Sequence, residues 1–323
     1  MSVHKRISMT IYILCPYAIR TGGPEALHQL SDALIGQGFD ARTAYYTQAQ
    51  ADLVARWQSS SAYRFGDAAN NIEEYAHYAT KPVDVVPNEP DAIVVLPEPL
   101  CHLAPKFNKA RVLVWWLSVD NGLGALSRVN LNHLRAPNVQ HAAQSLYADR
   151  FIKTLRLTPA SGAFLSDYTV DLREYAEPLA WQDRPLMVVF NANHKVTADV
   201  AAMCVALKAH DREIDTHIVG GLPRREMAAL FAKARVFVDL GCMPGKDRMP
   251  REALLMGCEV ITDAHNGAGD ELFGVKIEGG EDCVPNILAI LLRAEARRNE
   301  EFLAHERTTF FREVQTVFSE LSV

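Results

Sequence analysis

Two hydrophobic periods alternate along the chain. Near its start "MTIYILCPY" is a short, β-branched apolar run, which predicts a strand. A glycine-containing loop follows, "AIRTGG", and then Ala26, Leu27, Leu30, Leu34 and Ile35 recur at helical spacing. Pro24 suits a first helical position, Gly36 or Gly38 ends the helix, and "ARTAYY" reads as a second strand. Strand, loop, helix and strand in this order open a parallel α/β sheet.

The order returns after residue 185. "PLMVVF", "IDTHIVGG", "RVFVDLG" and "CEVIT" read as strands, and "VTADVAAMCVALKAHD", "PRREMAALFAKA" and "MPREALLMG" as the helices between them. The strands are nearly continuous in apolar residues, as expected where helices cover both faces of a sheet. Between the two series, "DAIVVLPEPL", "RVLVWWLSVD" and "VQHAAQSLYADRFI" continue the first domain. Residues 171–185 lose the periodicity and carry two prolines, which predicts a linker. Residues 55–90 show no clear pattern.

The fold class expected is therefore α/β, with two Rossmann-like domains facing a central cleft. The first covers 1–170 and the second 186–300, with a helical segment at 301–323. Ligands of such sheets bind outside the carboxyl ends of the strands. That singles out the loops 16–24, 117–124, 191–196, 241–252 and 264–271.

Composition narrows the classes. A length of 323 residues suits two domains. The net charge of −6 speaks against a general nucleic-acid binder but allows a local basic pocket. Six cysteines at 15, 101, 204, 242, 258 and 283 form no C-x-x-C pair and read as free thiols of a reducing compartment. No segment approaches the roughly 20 apolar residues of a membrane span. A cytoplasmic protein is expected, with peripheral attachment to the inner membrane face left open.

The candidate chemistry gathers in "PGKDRMPREALLMGCEVIT". With Pro250 at a first helical position, Arg251 and Glu252 fall in the opening turn, and Lys246 and Arg248 in the loop before it. Free amides and guanidinium forks at a helix start suit a diphosphate, and a carboxylate there suits sugar hydroxyls. The plainer alternative makes Glu252 a helix-start carboxylate and the cations a solvated loop. In "NANHK", Asn193 and Lys195 sit at a strand-to-helix turn, where Lys195 either adds a cation to the same phosphates or is only solvated. Gly22 and Gly23 let backbone come close to a ligand, but the dinucleotide fingerprint and the P-loop are absent. Asp120 follows a strand and is either a catalytic base or part of an Asx turn. His28 is a second candidate base that faces either core or cleft. There is no metal-ligand spacing and no Asp-x-Asp, so no metal or cofactor is expected.

"TGGPEALHQLSDAL" together with "GKDRMPREALLMGCEVIT" resembles GT-B fold glycosyltransferases, broadly of the family 4 type. The resemblance implies a nucleotide-diphosphate sugar bound mainly by the second domain and a glycan or glycolipid acceptor on the first. It also implies that a final helix at 301–323 crosses back to the first domain. By position, Glu252 takes the place of the glutamate that holds the donor ribose. Lys195 and Arg248 resemble the basic pair on the diphosphate, and Gly22 and Gly23 the glycine loop from the opposite domain. The departures are Pro244, where the family places a second glutamate, and Glu259, where it places proline. A binder that has lost turnover, and a nucleotide-sugar epimerase, stand beside the transferase as readings of the same sequence.

Overall fold

The computed structural model describes residues 9–66, 72–191, 199–241, 245–263, 275–277, 283–296 and 305–322. The chain divides into two compact units, residues 1–167 with 307–323, and residues 168–306. It passes from one unit to the other at 167–168 and again at 306–307.

Unit 1 begins as the sequence predicts, with β1 (Thr10–Pro16), α1 (Gly22–Gly36), β2 (Asp40–Tyr46) and α2 (Gln48–Arg56). The stretch without a clear pattern holds three short strands, β3 (Ala62–Arg64), β4 (Pro82–Val83) and β5 (Val85–Pro87). Then come β6 (Ala92–Pro97), a 3₁₀ segment from Glu98 to Lys106, β7 (Arg111–Trp116), α3 (Val119–Leu126) and α4 (Leu131–Leu134). The series ends with β8 (Val139–Ala143), α5 (Leu146–Thr154) and β9 (Pro159–Phe164). The main sheet has the order β4-β2-β1-β6-β7-β8-β9, parallel throughout. β3 and β5 form a separate antiparallel pair.

One face of the main sheet carries Tyr12, Leu14, Val94, Leu96, Val112 and Val114 into a core with the 3₁₀ segment, α2 and α5. Period-two alternation sends Ile11, Ile13 and Cys15 to the other face, where all three are fully buried. The C-terminal helix Glu306–Leu321 counts with unit 1 from Arg307 onward. It buries Phe310, Val314, Val317, Phe318 and Leu321, a helical stripe. Polar bonds fasten it as well. Gln37 Nε2 donates to the Phe311 carbonyl at 2.7 Å, and the Ser166 amide donates to Glu313 Oε2 at 2.7 Å.

Unit 2 contains β10 (Met187–Asn191), α6 (Val200–His210), β11 (Asp215–Val219), α7 (Arg224–Phe231), β12 (Val236–Asp239), α8 (Arg248–Leu255), β13 (Glu259–Asp263) and β14 (Val275–Ile277), then a helix from Val284 to Leu291. Its sheet runs β11-β10-β12-β13-β14, again parallel. Val189, Phe237 and Val260 pack toward α7 and α8, and Val188, Phe190, Val236, Val238 and Ile261 toward α6 and the helix 284–291. Both faces are covered, which is why these strands read as unbroken apolar runs.

Residues 171–185 differ from the expected linker. Leu172 is fully buried in the unit 2 core, and the Leu179 amide donates to the Ala232 carbonyl at 2.9 Å. Low periodicity there reflects a segment packed by a few anchors between 3₁₀ turns, while the chain crosses elsewhere.

Candidate functional site

In unit 2 the strand order reverses between β10 and β12, the place where open α/β sheets form a binding crevice. Both strands end there in a polar residue. Asn191 Nδ2 donates to Asp239 Oδ2 at 3.1 Å, and both side chains are buried. Thr262 is the register partner of Asp239 on β13 and is buried too. Asn191 Oδ1 and Thr262 Oγ1 have no hydrogen-bond partner among the described residues. The sequence carries a local signal for this row, a polar residue at or next to the end of an apolar strand in "VVFN", "VFVD" and "VITD".

The next element after β12 is α8. It begins at Arg248, with Asp247 as N-cap, two residues before the start expected from Pro250. Proline at the third helical position is tolerated because the amide it lacks has no intrahelical acceptor anyway. Arg248 is thus a helix residue rather than a loop residue. Its Nε lies 3.1 Å from Glu252 Oε1, one turn along the helix. The Glu252 side chain is only 4% exposed, whereas that of Arg248 is 26% exposed. A nearly buried carboxylate is thereby matched by a cation that still reaches solvent.

The other two cations of the cluster have a different task from the one expected. Arg251 is fully buried, and its Nη1 contacts Glu306 Oε1 and Oε2 at 3.1 and 3.2 Å. Its Nε and Nη2 donate to the Asp247 and Lys246 carbonyls at 3.1 and 2.9 Å. Lys246 Nζ lies 2.9 Å from Glu306 Oε1. A buried guanidinium needs a built counter-charge, and Glu306 supplies it. Burial alone would raise the Glu306 pKa, but Arg251 and Lys246 outweigh it and hold the carboxyl at about 2. Asn193, Lys195, Pro244 and the loop 264–271 lie outside the described residues.

In unit 1 the order reverses between β1 and β6. Thr21 is the N-cap of α1, so Gly22 and Gly23 are its first two residues rather than loop. The first amides of a helix have no intrahelical acceptor. A Cβ on Gly22 would meet nothing within 4 Å, and one on Gly23 would reach only Leu117 Cδ1 at 3.9 Å. The start of α1 therefore lies beside the residue that follows β7. Glu98, just past β6, is buried and accepts the Leu117 amide at 3.1 Å. Asp120 is exposed in the first turn of α3, where the helix dipole favours a carboxylate.

His28 faces the core, which corrects its candidacy as a base. It is 1% exposed, with Nδ1 at 2.7 Å from the Pro24 carbonyl and Nε2 at 3.0 Å from the Tyr45 hydroxyl. The neutral tautomer donating from Nδ1 and accepting at Nε2 satisfies both contacts. Burial lowers its pKa. Both nitrogens are engaged, and neither faces solvent.

Two parallel sheets, each with its order reversing beside the first strand of its own unit, fix the comparison. A glycosyltransferase from Rickettsia africae matches with a TM-score of 0.60 at 11% identity, over 97% of this chain and 98% of that one. HepE from Anabaena, in complex with UDP and glucose, matches with a TM-score of 0.56 at 11% identity, over 97% of both chains. Sucrose-phosphate synthase from Thermosynechococcus elongatus matches with a TM-score of 0.55 at 11% identity, over 97% of this chain and 96% of that one. The fold is GT-B. At these identities the likeness is one of fold, and the sequence matches no protein-family model and no curated protein sequence.

On this GT-B chain, the α8 start of unit 2 offers a guanidinium, a buried carboxylate and a helix N-terminus, a set able to take a phosphate and a hydroxyl-bearing ring together. The described residues include no cluster of His, Cys, Asp and Glu able to hold a metal, and no helix long and apolar enough to cross a membrane.

Proposed function

We propose that the protein is a glycosyltransferase, broadly of the family 4 type, that moves a sugar from a nucleotide-diphosphate sugar to a glycan or glycolipid acceptor. The observation that carries this reading is the Arg248–Glu252 pair at the start of α8, beside the switch point of the unit 2 sheet. The complex of a GT-B protein with UDP and glucose supports the donor class. Arg248 leaves Glu252 to bind the donor diphosphate, and Glu252 then accepts hydroxyls of the donor ribose. As the bond to the sugar breaks, negative charge grows on the diphosphate and the guanidinium stabilises it, so no metal is required. Lys195 and Asn193 follow β10 and add to the same contacts. Gly22 and Gly23 leave the first amides of α1 open to a ligand of unit 1. Asp120 takes the acceptor proton if the reaction inverts the anomeric centre. The protein acts in the cytoplasm on surface-polysaccharide or glycolipid precursors.

A second reading, nucleotide-sugar binding without turnover, is favoured by Pro244 at the position where the family carries a glutamate. Calorimetry with UDP and other nucleoside diphosphates in the presence of chelator, followed by a donor-sugar turnover panel, separates the two. Binding with sugar release from one donor supports the transferase, and binding with no turnover supports the binder. Binding that requires manganese overturns the role given to Arg248. Arg248→Ala is expected to lower turnover by about 10²–10³. Arg248→Lys recovers part of that, because a point charge lacks the bidentate fork. Glu252→Gln weakens nucleoside recognition while leaving inorganic diphosphate binding nearly intact. Parent-like behaviour in all three variants would sink the assignment.

A further inference from the structure

Glu306 is the last residue of unit 2, and the chain crosses to unit 1 at its own peptide link to Arg307. Its carboxylate touches three places at once. It holds Lys246 at 2.9 Å and Arg251 at 3.1 Å, on either side of Arg248 in sequence. It also accepts the Thr169 amide at 2.9 Å, one residue past the other crossing at 167–168. Arg251 in turn grips the carbonyls of Lys246 and Asp247, the two residues that lead into Arg248. The side chains of Lys246, Arg251 and Glu306 are 8%, 0% and 5% exposed. Buried ion clusters of this kind add little net stability against an apolar replacement, and their best-attested use is to fix register or to switch between arrangements. Here the register fixed is that of the loop presenting Arg248, and the same carboxylate reaches both crossings.

We infer that Glu306 is a positioning residue that couples occupancy of the Arg248–Glu252 site by a nucleoside diphosphate to the two chain crossings, acting through Lys246 and Arg251. The inference rests on the donor site proposed above. When the diphosphate draws Arg248 from Glu252, the backbone at 246–248 shifts, and Arg251 and Lys246 carry that shift to Glu306 and Thr169. Coupling of this kind is reciprocal, so loss of the carboxylate also weakens nucleotide binding.

The test is hydrogen exchange and calorimetry on the full chain, with UDP as the probe. In the parent, UDP is expected to slow exchange in the segment 168–172. Glu306→Gln is expected to abolish that response and to weaken UDP binding on the order of tenfold. Glu306→Asp, which keeps the charge facing Arg251 and Lys246, restores part of the response to UDP. Should Glu306→Gln fail to fold, Lys246→Met, which leaves the Arg251–Glu306 pair in place, is expected to diminish the response. UDP binding with no change at 168–172 in the parent overturns the coupling and leaves the donor site standing, as does an undiminished response in the variants. A parent that binds no nucleoside diphosphate refutes the donor site instead. The coupling, which acts from the occupied site, then falls with it.

Discussion

His141 sits on β8 with both ring nitrogens engaged, and it is fully buried. The indole Nε1–H of Trp116 donates to Nδ1 at 3.0 Å, while Nε2 lies 2.8 Å from the Leu134 carbonyl. Because indole only donates, Nδ1 must accept, and the ring is the neutral tautomer with its proton on Nε2. Protonation would set N–H against N–H, and burial already pushes the pKa down to about 4. The unfolded chain, with an ordinary histidine value near 6.5, takes up the proton first as pH falls. The stabilisation is therefore present in full above about 6.5 and is lost as pH falls toward and through about 4, amounting to roughly 3 kcal/mol. His141→Gln keeps a donor and an acceptor but cannot titrate. In urea unfolding over a pH series, the parent's advantage over this variant is expected to shrink across that window. A constant gap would show that the ring does not titrate differently in the fold.

At the scale of elements, the C-terminal ends of α7 and α8 converge on one cation. Arg184 is buried, its Nη1 donates to the Ala234 carbonyl just past α7, and its Nη2 donates to the Met256 carbonyl at 2.6 Å, at the end of α8. Carbonyls left over at helix ends and the negative pole of the dipole make this a favourable seat for a guanidinium. Gly257 beside it has φ +75, and a Cβ there would lie 3.0 Å from Arg184 Nη2. Arg184→Met is expected to destabilise unit 2 by about 2–4 kcal/mol, since the carbonyls stay buried without a donor. Gly257→Ala is expected to cost about 1–2 kcal/mol through the left-handed backbone alone. Chemical denaturation of both variants checks the order. This arrangement also shows where sequence reading stops. The α1 and α8 regions and every strand of the unit 2 sheet up to β13 were legible, because apolar period and proline or glycine punctuation are local. The placement of 171–185 was not, because Leu172 and Arg184 act through contacts with distant helices. His28 was ambiguous in sequence because helical spacing does not say which face meets β2. The pairing of Arg251 with Glu306 spans 55 residues, and a lone Glu opening a late helix gives no sign of it. Local pattern found the basic cluster, and only the fold divided it between Arg248 and the buried pair.

At the scale of the molecule, unit 1 is discontinuous in sequence, with unit 2 set into it. The helix that completes unit 1 buries Phe310, Val314, Val317, Phe318 and Leu321 to 4% exposure or less. At roughly 2 kcal/mol for each large apolar side chain, its contribution is about 10 kcal/mol, the size of a whole domain's stability. A chain stopped after Glu306 is expected to lose unit 1 while unit 2 persists. Limited proteolysis should then leave one resistant fragment covering 168–306, and a resistant fragment from 1–167 would refute the estimate. The same layout sets a schedule during synthesis. Residues 1–167 leave the ribosome with a gap in their core, and the 139 residues from 168 to 306 must be made before the helix that fills it. At about 5–20 residues per second that interval is on the order of ten to thirty seconds. Unit 2 is thus the first part of the protein able to finish folding, although it is encoded second. Throughout that wait the apolar seat of the last helix is open to aggregation or to a chaperone.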